Sequence, residues 1–284
     1  MEGAFWKLKK LTDDDMIYYQ RRGYFDEHLV TLYSTAYGEP YIHKDTYLVY
    51  YDALSKNLSI TLFGLNGDED KLECVQTSLN TFKPRTLWIT SPEELPVEIG
   101  EYRCERTFFD KDYQINLHEF DENLQGPPYK TLRYRVNNAK KRGYTIAIGR
   151  EMTPAHSHLI ALHMTKEIYN IWDYELYLGA EEYVRKFSSP RLFNAFLGDL
   201  LIGFDIVDVL SNTMATPLGF YLDYPSLADF MIYKEILYAK RQGFEWLDVG
   251  WGCNLGLEEF KKKWMAIPRF NVYMQEYHKL RSGS

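Results

Sequence analysis

The chain has 284 residues, of which 45% are hydrophobic and 26% charged, a composition that excludes disordered and fibrous proteins and allows one large domain or two of ordinary size. The 33 basic and 40 acidic residues give a net charge of −7, which argues against broad, nonspecific nucleic-acid binding but permits a local basic site. The three cysteines fit neither a disulfide framework nor a thiolate metal site.

The hydrophobic pattern contains no membrane span. The richest apolar stretch, residues 200–210, is interrupted by Asp205 and Asp208 and falls short of the roughly 18 uncharged residues that a membrane helix needs. The N-terminal residues lack the apolar run of a secretory signal. We therefore predict no transmembrane segment and a cytoplasmic location. The last four residues, 281–284, resemble a vector-derived tag remnant.

The first 125 residues alternate helical and strand-like patterns, which favours an α/β (α+β) fold. Thr12 and Asp15 have the spacing of a capping box and predict a helix that runs to about Arg22. The pattern then predicts strands over 46–51 and 58–63, a helix over 72–82, and strands over 87–90 and 113–117.

A domain boundary is predicted at Gln125-Gly126-Pro127-Pro128, because two prolines cannot continue a strand ladder. The division is 1–125 and 126–280. The second domain is predicted to contain a helix ending at Gly143, a strand over 144–148, a helix from Thr153 or Ser157 to Ile168, a helix over 180–187, strands over 191–197, 201–210 and 214–223, a helix over 226–242, a strand over 246–251, a helix over 256–265, and a strand over 269–277.

This order of elements is that of the acetyltransferase (GNAT) fold. Three segments carry a closer resemblance: the basic helix 132–143, the segment 224–229 with the strand 246–250, and Gly256-Leu257-Glu258-Glu259-Phe260-Lys261. They resemble the FemABX aminoacyltransferases and the C-terminal domain of phosphatidylglycerol lysyltransferase. The resemblance implies two successive GNAT-like domains, each a mixed, mostly antiparallel sheet flanked by helices, of which the first is degenerate and the second holds the site.

The resemblance also implies a reaction. An acyl or aminoacyl group would pass from an activated donor, aminoacyl-tRNA or acyl-CoA, to the amine or hydroxyl of a small-molecule or peptide acceptor. In the relatives, the lysine of the Gly-Leu-x-x-Phe-Lys segment stabilises the oxyanion, a role that falls here on Lys261. Its position on a helix is equally that of an ordinary exposed lysine.

The two donors require different binding sites. Coenzyme A needs a glycine-rich turn for its pyrophosphate, but residues 223–229 contain no glycine, Pro225 has no N–H, and Asp223 and Asp229 would repel phosphate. An RNA-borne donor would use a spread of cations, and tRNA is therefore a candidate partner. The predicted donor-binding residues are Arg133, Arg135, Lys140, Arg142 and Lys262.

A proton acceptor is also required, because the attacking amine must lose a proton. Asp223 and Asp248 are candidates, since strands 214–223 and 246–251 are expected to diverge near them. Asp223 fits a turn or a helix cap as well. Asp248 lies among apolar residues, where a carboxylate is costly unless it is paired or functional. The predicted catalytic residues are thus Lys261, Asp223 and Asp248.

Two other functions stay open on the sequence. One is a CoA-dependent N-acetyltransferase with an atypical phosphate loop; the other is a noncatalytic binding module that has kept the fold and lost the donor site. No metal site is predicted, because His156, His158 and His163 lack zinc-ligand spacing. Cys253 has no identifiable basic partner and is expected to be a core or loop residue.

Overall fold

A computed structural model describes residues 8–21, 29–64, 71–165 and 171–280. The tag-like residues 281–284 and the predicted helix ends at Arg22 and Ile168 lie outside these ranges. No helix within them is both long and apolar enough to cross a membrane. The chain divides into two compact units, Met1–Lys111 with Phe270–Ser284, and Asp112–Arg269. These bounds differ from the division at residue 125, which stays a prediction.

The first unit packs one helix-covered sheet. Its strands follow the order β1-β2-β3-β4-β5-β13, in which β4 and β5 run parallel. Cys74, Val75 and Leu79 of α3 fill the core against this sheet. The elements are β1 (Lys9–Lys10), α1 (Asp13–Arg21), α2 (Val30–Tyr37), β2 (Glu39–His43), β3 (Tyr47–Asp52), β4 (Asn57–Thr61), α3 (Lys71–Phe82), β5 (Thr86–Ser91), β6 (Glu98–Ile99), β7 (Tyr102–Asn116) and β13 (Ile267–Lys279).

Four elements of this unit, β1, α2, β2 and β6, were not predicted. Helix α2 has only 8 residues, and its N-cap, Leu29, makes no side-chain capping bond. The local start signals of a helix are therefore missing. Strand β7 has 15 residues, far more than the predicted 113–117, and its central residues are exposed.

The second unit contains every element predicted for residues 130–265. They are α4 (Lys130–Lys141), β8 (Tyr144–Gly149), α5 (Pro154–Met164), α6 (Ile171–Lys186), β9 (Arg191–Leu197), β10 (Leu200–Leu210), β11 (Thr213–Tyr221), α7 (Leu227–Gln242), β12 (Trp246–Trp251) and α8 (Leu255–Lys263). Helix α6 begins at Ile171 rather than at residue 180. Thr153, not Ser157, caps α5 in a capping box with His156.

Helices cover both faces of the second unit's sheet, whose strand order is β7-β12-β11-β10-β9-β8. Leu132 and Val136 of α4 and Phe230 of α7 belong to the core on one face. On the other face, Phe204 and Phe220 pack against histidines of α5. Successive side chains of a strand point to opposite faces of the sheet. Because helices cover both faces, β10 is buried along nearly its whole length.

Strands β11 and β12 diverge. Their parallel ladder consists of Thr213↔Trp246, Met214↔Leu247 and Ala215↔Asp248. Beyond these pairs β11 continues along β10 to the pair Gly203↔Tyr221, whereas β12 continues along β7 to Trp251↔Asp112. The divergence expected from the sequence is thus present, and it begins at Asp248.

Candidate active site

A group of buried polar side chains lies where the two strands part. Asp112 and Gln114 come from β7, Asp248 from β12 and Lys261 from α8, and all four are buried. Asp248 is paired with Gln114 in the β7–β12 ladder, and the register shifts between Asp248 and Trp251. We call these four residues the carboxylate–lysine cluster.

The pKa values of both carboxyl groups of the cluster are raised. Burial raises the pKa of Asp248 to about 6, although the Gly250 N–H and the charges of Lys261 and Arg269 act in the opposite direction. Burial raises the pKa of Asp112 well above its usual range, and the neighbouring charge of Asp248 raises it further. Both groups therefore bind a proton more readily than an ordinary carboxyl group does.

The backbone around Asp248 is shaped by a glycine. The N–H of Gly250 donates to Asp248 Oδ1 at 2.7 Å, and Gly250 has a φ of 74°, in the left-handed region. An added Cβ at this residue would lie 3.8 Å from Lys261 Nζ, which is ordinary contact, so backbone strain is the main cost of a side chain here.

We expect Gly250→Ala to destabilise the protein by about 1–2 kcal/mol, because an L-residue is strained at positive φ. Urea unfolding measures this change. Gly149→Ala is the matched control, since a Cβ there meets only Asn194 Nδ2 at 3.5 Å and the residue has no positive φ. Equal losses of stability in both variants would contradict the role of the φ angle.

Helix α8 directs Lys261 into the cluster. The helix begins at Asn254, whose side chain accepts a hydrogen bond from the Leu257 N–H at 3.0 Å. Three residues beyond Lys261, on the same helix face, the indole of the buried Trp264 donates to Asp229 Oδ1 at 3.0 Å. The Lys261 ammonium donates to the Trp251 carbonyl at the end of β12. It lies close enough to Asp112 and Asp248 to lower the pKa of each.

An arginine connects the cluster to the protein surface. Arg269 Nη1 donates to Gln114 Oε1 at 2.5 Å, and Gln114 Nε2 donates to Asp112 Oδ1 at 3.4 Å. The guanidinium lies 4.9 Å from the centre of the Trp246 ring. Asp112, Gln114 and Arg269 were missed from the sequence. The alternation of polar residues at 112, 114 and 116 in a strand is the signal that could have found the first two.

The other predicted base, Asp223, is exposed in the connection between β11 and α7. It forms no hydrogen bond or ion pair with any residue in the described part of the chain, and it does not belong to the carboxylate–lysine cluster. Its role as a base stays a prediction.

The connection between β11 and α7 is held by its neighbours. The Leu227 N–H donates to the Tyr224 carbonyl at 3.2 Å, and Ser226 adopts a left-handed φ of 64°. The Ser226 hydroxyl accepts from Asn138 Nδ2 of α4 at 3.2 Å. In the first turn of α7, Asp229 accepts from Trp264 and pairs with Lys263 at 2.5 Å. The start of α7 is thus occupied by a carboxylate of the chain itself.

Among the residues that the structure describes, two of the five predicted donor-binding cations have hydrogen-bond or ion-pair partners. Arg133 donates to the Leu124 carbonyl, and to that of Gly126 at 3.5 Å, in the turn before α4. Lys262 pairs with Glu258 at 2.7 Å and with Glu259 at 3.6 Å. Arg135, Lys140 and Arg142 are exposed on α4 and at its end. Lys140 Nζ lies 5.6 Å from the centre of the Tyr233 ring.

A cavity of about 850 Å³ lies under α5, apart from the cluster. One polar pair forms part of its wall: His156 Nε2 lies 2.9 Å from Asn194 Oδ1, and His156 Nδ1 accepts from the Thr153 N–H at 3.0 Å. The lining residues are Gly149, Arg150, Glu151, Thr153, Ala155, His156, His158, Leu159, Leu162, Asn194, Phe196, Asp199, Leu200, Leu201 and Leu222. None of the cluster residues lines it.

A second pair of buried carboxyl groups, Asp205 and Glu235, joins β10 to α7. The two groups lie close enough to perturb each other's pKa. Tyr221 donates to Asp205 Oδ1, and Thr216 donates to Glu235 Oε2 at 3.1 Å. Burial raises the pKa of Asp205 to about 6 and raises that of Glu235 well above its usual range.

This pair makes stability depend on pH. The unfolded carboxyl groups lose their protons near pH 4, whereas the folded pair keeps its protons to higher pH, so the free energy of unfolding should fall as pH rises from 4 through 6 and beyond. We expect Glu235→Gln to flatten this fall and to raise stability at pH 8 by about 1–3 kcal/mol. Urea unfolding at pH 5, 6.5 and 8 measures the effect.

The control for this prediction is Glu119→Gln, at an exposed position. It should keep the pH dependence of the unchanged protein. An unaltered slope in Glu235→Gln would contradict the assignment of this pH dependence to the Asp205–Glu235 pair.

No protein-family model matches this sequence, and no curated protein matches it. Solved structures do match. A protein of unknown function from Bacteroides thetaiotaomicron VPI-5482 is 12% identical, with a TM-score of 0.64 over 96% of this chain and 99% of that one. L-PGS from Bacillus licheniformis is 13% identical, with a TM-score of 0.61 over 96% and 94%. A tandem GNAT protein from the clavulanic acid biosynthesis pathway is 10% identical, with a TM-score of 0.57 over 98% and 99%.

At these identities the comparisons establish the fold. The predicted class, an α/β fold of GNAT-like architecture, is confirmed. The donor, the acceptor and the roles of individual residues do not follow from a fold.

Proposed function

We propose that this chain is an acyl- or aminoacyltransferase whose activated carbonyl enters the gap between β11 and β12. One observation carries the proposal: the ladder between these strands ends at Asp248, where the buried Lys261 and a second carboxyl group meet it. Burying three ionisable side chains is costly in a fold that needs none of them for its core, and perturbed groups of this kind cluster at functional sites.

Asp248 has the properties of the base. A general base works best when its pKa lies near the operating pH, and the pKa of Asp248 is raised to about 6. In the reaction, the acceptor nitrogen or oxygen attacks the donor carbonyl and its proton passes to Asp248. The bond to the carrier then breaks, and the departing oxygen or sulfur takes up a proton.

Lys261 supplies the positive charge for the oxyanion. Attack on the carbonyl places a negative charge on its oxygen, which a fixed cation in a water-poor site stabilises strongly. The Trp251 carbonyl and the cap at Asn254 hold the lysine side chain and its helix in place, so little reorganisation is needed when the charge develops.

The connection after β11 favours a donor other than coenzyme A. A pyrophosphate would need free N–H groups at the start of α7, but the Leu227 N–H is bonded to Tyr224 and Asp229 occupies the first turn. An atypical CoA-dependent N-acetyltransferase is therefore the second candidate, and a noncatalytic binding module the third.

A screen of donors tests the proposal. The purified protein would be incubated with a pool of charged tRNAs or a pool of acyl-CoAs, together with small amine and peptide acceptors, and acyl products would be detected by mass spectrometry. We expect transfer from the charged tRNA pool. Transfer from acyl-CoA alone would support the second candidate, and no transfer from either pool would contradict an enzymatic function.

A further inference from the structure

The cavity under α5 has a largely apolar lining and one buried polar pair. Its apolar lining includes Leu159 of α5, Phe196 of β9 and Leu201 of β10. Its volume of about 850 Å³ lies within the range of about 300–1,000 Å³ that is typical of small-molecule sites. Exposed residues of the lining, among them Glu151 and Asp199, mark its mouth. All of the lining residues belong to the second unit.

A capping box fixes the tautomer of the histidine in this cavity. His156 Nδ1 accepts from the Thr153 N–H at 3.0 Å, where α5 begins. One ring nitrogen of a neutral imidazole accepts a hydrogen bond and the other donates one, so the ring proton is on Nε2. This nitrogen lies 2.9 Å from Asn194 Oδ1 and therefore donates to it.

The bond from His156 orients the Asn194 amide. Because Oδ1 faces the histidine, Nδ2 is the atom of the amide that is left for another partner. Asn194 is only 8% exposed and lines the cavity, and its Nδ2 donates to no residue in the part of the chain that the structure describes. Gly149 leaves space beside it, since an added Cβ there would meet only Nδ2, at 3.5 Å.

A buried N–H donor without a protein partner requires an acceptor from elsewhere. Leaving such a donor unpaired is costly, and nearly all buried donors in proteins are satisfied. A carbonyl oxygen on a ligand suits the Asn194 amide, because it accepts a hydrogen bond and brings no donor of its own.

A charged ligand fits the cavity less well. The His156–Asn194 pair is neutral and gives no counter-charge to an ion that leaves water for the apolar lining. At the mouth, the exposed carboxylates of Glu151 and Asp199 outnumber the exposed guanidinium of Arg150, which disfavours an anion in particular.

We propose that this cavity binds a neutral organic molecule with an apolar body and a carbonyl oxygen that accepts a hydrogen bond from Asn194 Nδ2. The apolar body packs against Leu159, Phe196 and Leu201, and the carbonyl group of an amide, ester or ketone lies beside Gly149. This site is separate from the proposed transfer reaction, because no residue of the carboxylate–lysine cluster lines the cavity.

Three small probes that share one apolar body test the proposal. Phenylacetamide is neutral and carries a carbonyl group, phenylacetate is an anion, and phenethylamine is a cation without a carbonyl group. Ligand-observed NMR titrations of the full chain give their dissociation constants. We expect saturable binding of phenylacetamide with a Kd on the order of 1 mM or below, and binding of both ions at least about threefold weaker.

Two variants remove different features of the site. Asn194→Asp keeps an oxygen for His156 but replaces the Nδ2 donor by an acceptor, so it should weaken phenylacetamide binding by about fivefold or more. Gly149→Val places methyl groups in the space beside the amide and should weaken binding by a similar factor, while a β-branched residue suits the end of β8. Asn137→Asp, at an exposed position of α4, is the matched control and should bind as the unchanged protein does. Thermal unfolding establishes that each variant is folded.

The side-chain N–H signals of Asn194 report on the contact directly. In a proton–nitrogen correlation spectrum, the pair of signals that is lost in Asn194→Asp should shift when phenylacetamide is added to the unchanged protein. A pair that stays in place at saturating phenylacetamide would contradict the hydrogen bond.

The outcomes separate this site from the proposed function. No saturable binding of phenylacetamide, tighter binding of either ion, or equal phenylacetamide binding by the unchanged protein and a folded Asn194→Asp variant would overturn the proposal. If Asn194→Asp is not folded, unchanged binding by Gly149→Val overturns it. Phenylacetamide binding that follows these expectations, in a protein that transfers no acyl group, would leave the site standing and contradict only the transferase proposal.

Discussion

Lys261→Met is expected to lower kcat for acyl transfer by about a hundredfold or more, the usual cost of removing an oxyanion donor. The ammonium is held at the end of β12 by the Trp251 carbonyl, beside the point where β11 and β12 part. Methionine keeps most of the side-chain volume and removes the charge. If the interaction exists only in the transition state, kcat and kcat/KM should fall by the same factor while KM changes little.

Stability must be measured beside the rate for this variant. Lys261 lowers the pKa of Asp112 and Asp248, so its removal leaves the buried carboxyl groups with less compensation. Thermal unfolding shows whether a lost rate reflects a lost fold, and Lys261→Arg supplies a variant that retains the positive charge. Lys186→Met, at an exposed position of α6, is the matched control. A folded Lys261→Met protein with an unchanged kcat would exclude the oxyanion role.

Asp248→Asn is expected to lower the rate by about a hundredfold or more, since an amide cannot accept the proton of the attacking group. The substitution should also change the pH dependence of kcat/KM. In the unchanged protein, kcat/KM should fall about tenfold for each pH unit below about 6, because the base is then protonated. The residual activity of Asp248→Asn should lack this limb of the profile.

The pH profile separates catalysis from structure. A variant that is only less well folded would lose rate but keep the limb near pH 6. The same pH profile measured on Asp223→Asn tests whether the exposed Asp223 is the base instead. A lost limb in Asp223→Asn, with the limb retained in Asp248→Asn, would move the base to the connection after β11. Asp14→Asn, an exposed residue of α1, is the control for the substitution itself.

The pairs Asp112–Asp248 and Asp205–Glu235 have different consequences. Asp112 and Asp248 lie with a lysine where the ladder between β11 and β12 ends. Asp205 and Glu235 lie between a central strand and α7, and their hydrogen-bond partners are hydroxyl groups. The first pair is therefore the candidate for chemistry, and the second is expected to affect stability.

The order of elements in residues 126–280 could be read from the sequence because its signals are local. Helical spacing in α4, the glycine after it, and the capping box at Thr153 each act over a few residues. Elements that lack such local signals were not predicted. Helix α2 is short and has no side-chain cap, so nothing in its sequence marked its start.

The sequence of residues 223–229 predicted only part of what the structure shows at the start of α7. The absence of glycine and the presence of Pro225 already argued against a pyrophosphate loop. In the structure, Asp229 at the start of α7 pairs with Lys263 and Trp264. These partners lie in and directly after α8, which follows β12 in the chain. A side chain's partner on another element is decided by packing and not by local propensity.

The sequence by itself determined the fold class, the divergence of strands β11 and β12, and the candidacy of Lys261 and Asp248, because periodicity, turns and a short motif report on neighbours along the chain. Only the tertiary structure decided that Lys261 faces inward and that Asp112 and Gln114 of β7 meet Asp248. These contacts join elements far apart in the sequence. Burial and charge repulsion, which set their pKa values, exist only once the chain has folded.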